Sequence, residues 1–104
     1  MGKKEDVKIV RKFKQRLSKD FPVEKVFLFG SRARGEAEKW SDFDVIIVSD
    51  KFNGVIRYKR VPKMYDYWEG DYPVDFICLT KKEFESTKKR LTITRHAVEE
   101  GIEI

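Results

Sequence analysis

The chain has 104 residues, 39% of them charged and 40% hydrophobic, with a net charge of +5. That length fits one small domain, residues 1–104, with a thin core, and the mixing of both signs argues against disorder. No apolar run approaches the ~20 residues that span a membrane, and the single cysteine, Cys78, excludes an internal disulfide.

The opening "MGKKEDVKIV" is charged throughout and is not a signal peptide. Asp6 stands where myristoylation requires Ser or Thr. A cytoplasmic location is expected. Asn53 and Gln15 are the only side-chain amides, while Lys, Arg and Glu abound, a bias found in heat-adapted proteins.

In chain order, Ile9, Val10, Phe13 and Leu17 mark one face of a helix over Glu5–Ser18, with lysines and arginines on the other. Pro22 ends it, and Val23–Phe29 reads as a strand. Ser31–Lys39 reads as a short helix with Ser31 as its N-cap. Phe43–Val48 is a second strand, and Asn53-Gly54 marks a turn. Pro62 is placed to start a helix that ends near Gly70. Val74–Leu79 is a third strand, and Cys78 within it is expected to be a buried, inert thiol. Thr80-Lys81-Lys82-Glu83 fits a capping box. The last helix carries Phe84, Thr87, Leu91, Thr94 and Val98 inward and runs to Gly101, with His96 among polar residues on its surface. Helices alternating with strands give an α/β or α+β domain around a small sheet.

Asp42 and Asp44 point to one face of the second strand, because strand side chains alternate. Two adjacent carboxylates repel each other. A divalent ion relieves that repulsion, and oxygen-only ligands suit Mg²⁺. The bland alternative for an isolated Asp-x-Asp is surface charge. Asp75 opens the third strand among core residues, where a carboxylate is costly unless paired or coordinated. If the two strands are neighbours, three carboxylates converge to hold one or two Mg²⁺ ions for phosphoryl chemistry. Otherwise Asp75 pairs with Arg32 or Arg57.

Gly30 allows a tight strand-to-helix turn, and Ser31 opens a helix whose N-terminal N–H groups suit a phosphate. Arg32 and Arg34 add charge beside that cradle, and Gly35 ends the turn. Taken alone, Gly-Ser is equally an ordinary capped turn.

Gly30-Ser31, Ala33-Arg34-Gly35, Ala37, Ser41-Asp42-Phe43-Asp44 and Val74-Asp75 together resemble the minimal nucleotidyltransferases of the DNA polymerase β superfamily. The resemblance covers nearly the whole chain. It implies a small mixed sheet of three to four strands with helices packed against one face. It implies transfer of a nucleoside monophosphate from a triphosphate, with ATP the expected donor, to an acceptor hydroxyl. By the same resemblance Asp42 and Asp44 bind Mg²⁺, Asp75 binds a second ion and helps deprotonate the acceptor, and Gly30 and Ser31 contact the triphosphate. Larger relatives add a helical domain, so this chain resembles the stand-alone type that pairs with a separate HEPN protein as antitoxin to its toxin.

Two rival readings stand beside transfer. One is a module that neutralises a toxin by contact alone. The other is a nucleic-acid binder, drawn from the basic and aromatic residues of "RYKRVPKMYDYW". The aromatics of "MYDYWEGDY" serve either a partner contact or the core.

Overall fold

The computed structural model describes residues 3–88 and 101–104. The chain forms α1 (Lys3–Asp20), β1 (Lys25–Phe29), α2 (Ser31–Arg34), β2 (Phe43–Val48), a 3-10 turn (Asp50–Phe52), α3 (Arg57–Tyr65), β3 (Val74–Leu79), α4 (Lys81–Lys88) and β4 (Ile102–Glu103). The sheet order is β3-β2-β1-β4. β1 is antiparallel to β2 and β4, whereas β2 and β3 are parallel, with α3 in the crossover between them. The result is the mixed α/β domain that the strand and helix patterns indicate.

β2 is central, and all of its residues except Asp44 are buried. Alternation along the strands divides the apolar residues between two faces. Val26, Leu28, Val45, Ile47 and Phe76 meet Val10, Phe13 and Leu17 of α1 and Met64 of α3. Phe27, Ile46, Val48 and Leu79 meet Phe84 of α4 on the other side, where the Phe27 and Phe84 rings stack at 5.5 Å. Helices therefore lie on both faces, not one as the resemblance implied, because Phe84 seats α4 on the second apolar cluster. Each fully buried side chain of this kind contributes about 1.5–3 kcal/mol.

α1 buries a stripe of apolar residues and starts with Glu5 and Asp6, which favour the positive end of the helix dipole. It carries eight Lys or Arg against three Asp or Glu, an excess equal to the net charge of the whole chain, +5. Lys3, Lys4, Lys8, Arg11 and Lys12 border a single shallow groove on its outer side.

Three expectations shift, and the sheet takes the upper of the two strand numbers expected. Ser31 does not cap α2: Gly30 holds that position at φ 76°, and no side chain caps the helix. Gly35, left-handed at φ 75°, stops α2 at Arg34, so most of Ser31–Lys39 is loop. Pro62 lies inside α3, which begins five residues earlier at Arg57. A proline so near the helix start forfeits one hydrogen bond, and Arg60 and Met64, both buried, fix α3 to the sheet. β4 is only two residues long, too short to show a pattern in sequence. Its neighbour Ile104 donates its N–H to the Val26 carbonyl at 2.8 Å.

The capping box forms as expected. Glu83 donates its N–H to Thr80 Oγ1 at 3.1 Å, and Thr80 donates its N–H to Glu83 Oε1 at 2.8 Å. Cys78 is buried, and burial pushes its thiol up to about 12, despite an opposing pull from Arg60. The side chain of Thr87, and Leu91, Thr94, His96 and Val98, lie outside the described residues.

Candidate active site

The parallel register of β2 and β3 places Asp44 directly beside Asp75, and the antiparallel register places Phe29 beside Asp44 on the other side. Because alternation puts Asp44 in phase with Ile46, and Asp75 in phase with Ile77, both carboxylates lie on the face that Phe84 covers further along. Gly30 follows β1 and packs against this row. A Cβ added there would stand 2.5 Å from Asp44 Oδ2. Its backbone, at φ 76° and ψ −158°, is also one that essentially only glycine adopts. Gly30 thus lets the backbone approach a carboxylate that any side chain would displace.

Asp42 is exposed, just ahead of β2. The N–H of Phe43 bonds the Pro73 carbonyl at 2.8 Å, which ties the start of β2 to the start of β3. Asp44 titrates above the usual carboxylate range. Partial burial is the largest cause, then the charges of Asp75 and Asp42, against a smaller opposing pull from Arg34. Among the described residues, no Lys, Arg or His lies within 4.0 Å of any of the three carboxylates, so Asp75 pairs with neither Arg32 nor Arg57. Nor, among the described residues, do three acidic, His or Cys groups already converge as a metal-ligand set. The site is an oxygen-only cluster whose repulsion Arg34 offsets only in part.

The two arginines separate. Arg34 is exposed, bonds Glu36 at 3.1 Å and acts electrostatically on Asp44. Arg32 was expected beside the phosphate cradle, but its side chain is 1% exposed and directed into the protein. Its Nη1 donates to Asp6 Oδ1 at 3.1 Å. Nε and Nη2 donate to the Ser41 carbonyl at 3.0 and 2.8 Å, and Nη2 also reaches the Lys39 carbonyl at 3.3 Å. The guanidinium lies 4.1 Å from the centre of the Phe43 ring. With its donors spent in this way, Arg32 is not available to a phosphate. Asp6, its partner across 26 residues, escaped the sequence reading, since an acidic residue in a first helical turn already has a local explanation.

In the "RYKRVPKMYDYW" stretch, Arg60 and Met64 are buried and serve the fold, while Arg57, Tyr58, Lys59, Lys63 and Tyr65 are exposed. Arg60 donates to Cys78 and Val55 carbonyls and to Glu83 at 2.6 Å, and Met64 is fully buried. Trp68 packs edge-on against Phe13, Phe43 and Phe76, and Tyr72 against Phe43. Trp68 and Tyr72 thus pack on the core, while Tyr65, Tyr58 and Trp40 are exposed.

Residues 10–101 match the model of the nucleotidyltransferase domain. A relative from Haemophilus influenzae named as a protein adenylyltransferase, MntA, is 26% identical over 97% of this chain and 88% of its own length. A Methanocaldococcus jannaschii relative, named as protein adenylyltransferase MJ1215, is 32% identical over 70% of this chain and 81% of its own. A crystal structure described as a nucleotidyltransferase from Sulfolobus solfataricus superposes with a TM-score of 0.70 at 24% identity, covering 97% of this chain and 80% of the other, and shares the fold. The chain belongs to the nucleotidyltransferase domain family and is a transferase.

Proposed function

We propose that this protein transfers AMP from ATP to a hydroxyl, a tyrosine on a separate HEPN-type helical protein, and acts in the cytoplasm as that toxin's antitoxin. The observation that carries the transfer reading is the row in which Asp44 stands beside Asp75 with Gly30 pressed against it. The relatives named as protein adenylyltransferases support AMP as the group and a protein as acceptor. The HEPN partner rests on the family resemblance.

Asp42, Asp44 and Asp75 fit Mg²⁺, since their donors are all carboxylate oxygens, and burial first, then the charges of Asp75 and Asp42, raise the Asp44 pKa. Bound there, the ion would neutralise charge on the phosphoryl group. Gly30 and Ser31 present backbone N–H groups to the triphosphate, and Arg34 adds a positive charge beside it. The acceptor oxygen attacks the α-phosphorus. The bond from that phosphorus to the bridging oxygen of the β-phosphate breaks, and pyrophosphate leaves. Asp75, exposed at the start of β3, takes the hydroxyl proton. In-line positioning of attacking and leaving oxygens is the principal catalytic contribution.

The test is incubation with labelled ATP, Mg²⁺ and the product of the adjacent gene, followed by mass spectrometry. Added AMP on a tyrosine of that product is expected. Label on RNA or on a small-molecule hydroxyl instead, with none on the protein, would replace the acceptor assignment.

A further inference from the structure

The buried guanidinium of Arg32 joins three parts of the molecule that are distant in sequence. It stands on α2, bonds Asp6 of α1, and bonds carbonyls on both sides of Trp40 in the loop that delivers Asp42. Trp40 itself is 78% exposed, so its side chain does little to hold this loop. Local bonds close the turn only on itself: Ser41 donates its N–H to the Glu38 carbonyl at 3.1 Å, and Glu38 donates its N–H to Ser41 Oγ at 2.9 Å. Arg32 supplies the link from that turn to the packed body. Its stacking on Phe43, the residue between the two aspartates, fixes the guanidinium at the loop's exit into β2.

We infer that Arg32 is a positioning residue: it clamps the Lys39–Ser41 loop so that Asp42 is presented beside Asp44 at a fixed point. This inference rests on the reading of Asp42 as part of the transfer site. A planar fork with several donors can hold two carbonyls and a carboxylate together, whereas a lysine ammonium cannot reproduce that geometry. The charge of Arg32 is balanced inside the protein by Asp6, so the clamp adds no free positive charge to the site.

The experiment compares R32K with D6N in the full chain. In R32K the Glu38 and Ser41 amides should exchange with solvent about tenfold faster, while the Phe13 amide in α1 is unchanged. AMP transfer should fall about 10- to 100-fold, as for other residues that orient a ligand. ATP affinity measured without metal should stay at the wild-type value. D6N removes the charge that balances Arg32 but keeps an amide oxygen that can accept its bond, and it leaves the bonds to the loop carbonyls intact. It should melt at a lower temperature yet keep both amides protected and transfer near wild type. Unchanged exchange at Glu38 and Ser41 in R32K would overturn the clamp. So would a fall in metal-free ATP affinity, which would make Arg32 a phosphate ligand, or a D6N transfer loss as large as that of R32K. If neither variant nor wild type transfers AMP, the transfer reading fails, and the exchange rates still decide the clamp.

Discussion

Asp44 is held in a position that costs stability. Its pKa is raised, so at neutral pH the folded state carries a carboxylate that burial and two neighbouring charges disfavour. Asp44→Asn should therefore raise the melting temperature at pH 7 while lowering transfer by about 100-fold or more, since even outer-shell residues reach that range. The sign follows from linkage. A carboxyl whose folded pKa is raised weakens the fold above that pKa, and the penalty disappears as pH drops below the ordinary value of 3.8. The stability gain of the asparagine variant should shrink to nothing in acid, which thermal melts across pH will show. Gly30→Ala should also silence the site without changing its charge. Its backbone strain costs about 1–3 kcal/mol, and the new methyl group would stand 2.5 Å from Asp44 Oδ2. Arg34→Ala should weaken ATP binding while leaving the melting temperature nearly unchanged, because that side chain is exposed.

The candidate carboxylates stand out in sequence, but the different placements of the two arginines do not. Asp42, Asp44 and Asp75 were legible because an acidic residue at an apolar strand is anomalous, and alternation fixes its face. Arg32 and Arg34 are two residues apart and look alike in sequence, yet one is buried and the other exposed. What separates them is Asp6, a contact across 26 residues that no local pattern encodes.

At the scale of elements, α3, β3 and α4 are locked by one group of side chains. Glu83 takes bonds from Arg60 and from Thr80, and its carboxyl is held down to about 2, mainly by the Arg60 hydrogen bond. A carboxyl depressed in the folded state contributes stability that is complete above its ordinary value of 4.5 and is lost as pH falls towards 2. Glu83→Gln should lower the melting temperature at pH 7 and match wild type near pH 2, as acid titration by circular dichroism will test. Thr80→Ala removes the other half of the box and should cost about 1 kcal/mol. The capping box was readable because both partners are local. The Arg60 bonds to β3 were not, and neither was α3's start ahead of Pro62. Those depend on where the sheet lies beneath the helix.

For the whole molecule, the sheet separates two tasks. One face packs α1 and α3 over the larger apolar cluster, and the other packs α4 over a smaller one and carries Asp44 and Asp75 at its end. Three strands and their order along the chain followed from β-branched runs. The fourth strand and the two-sided packing did not, because two residues carry no periodicity and alternation cannot say which face a later helix will cover.

The cations of α1 give this arrangement an orientation in space. They lie on the helix that covers one face of the sheet, and Asp44 and Asp75 lie on the other, so these two groups of charge stand on opposite sides of it. Near a negatively charged surface at low ionic strength the protein should settle with α1 downward. The carboxylates would then face the solution, and an adsorbed layer on silica would keep its sites exposed to nucleotide.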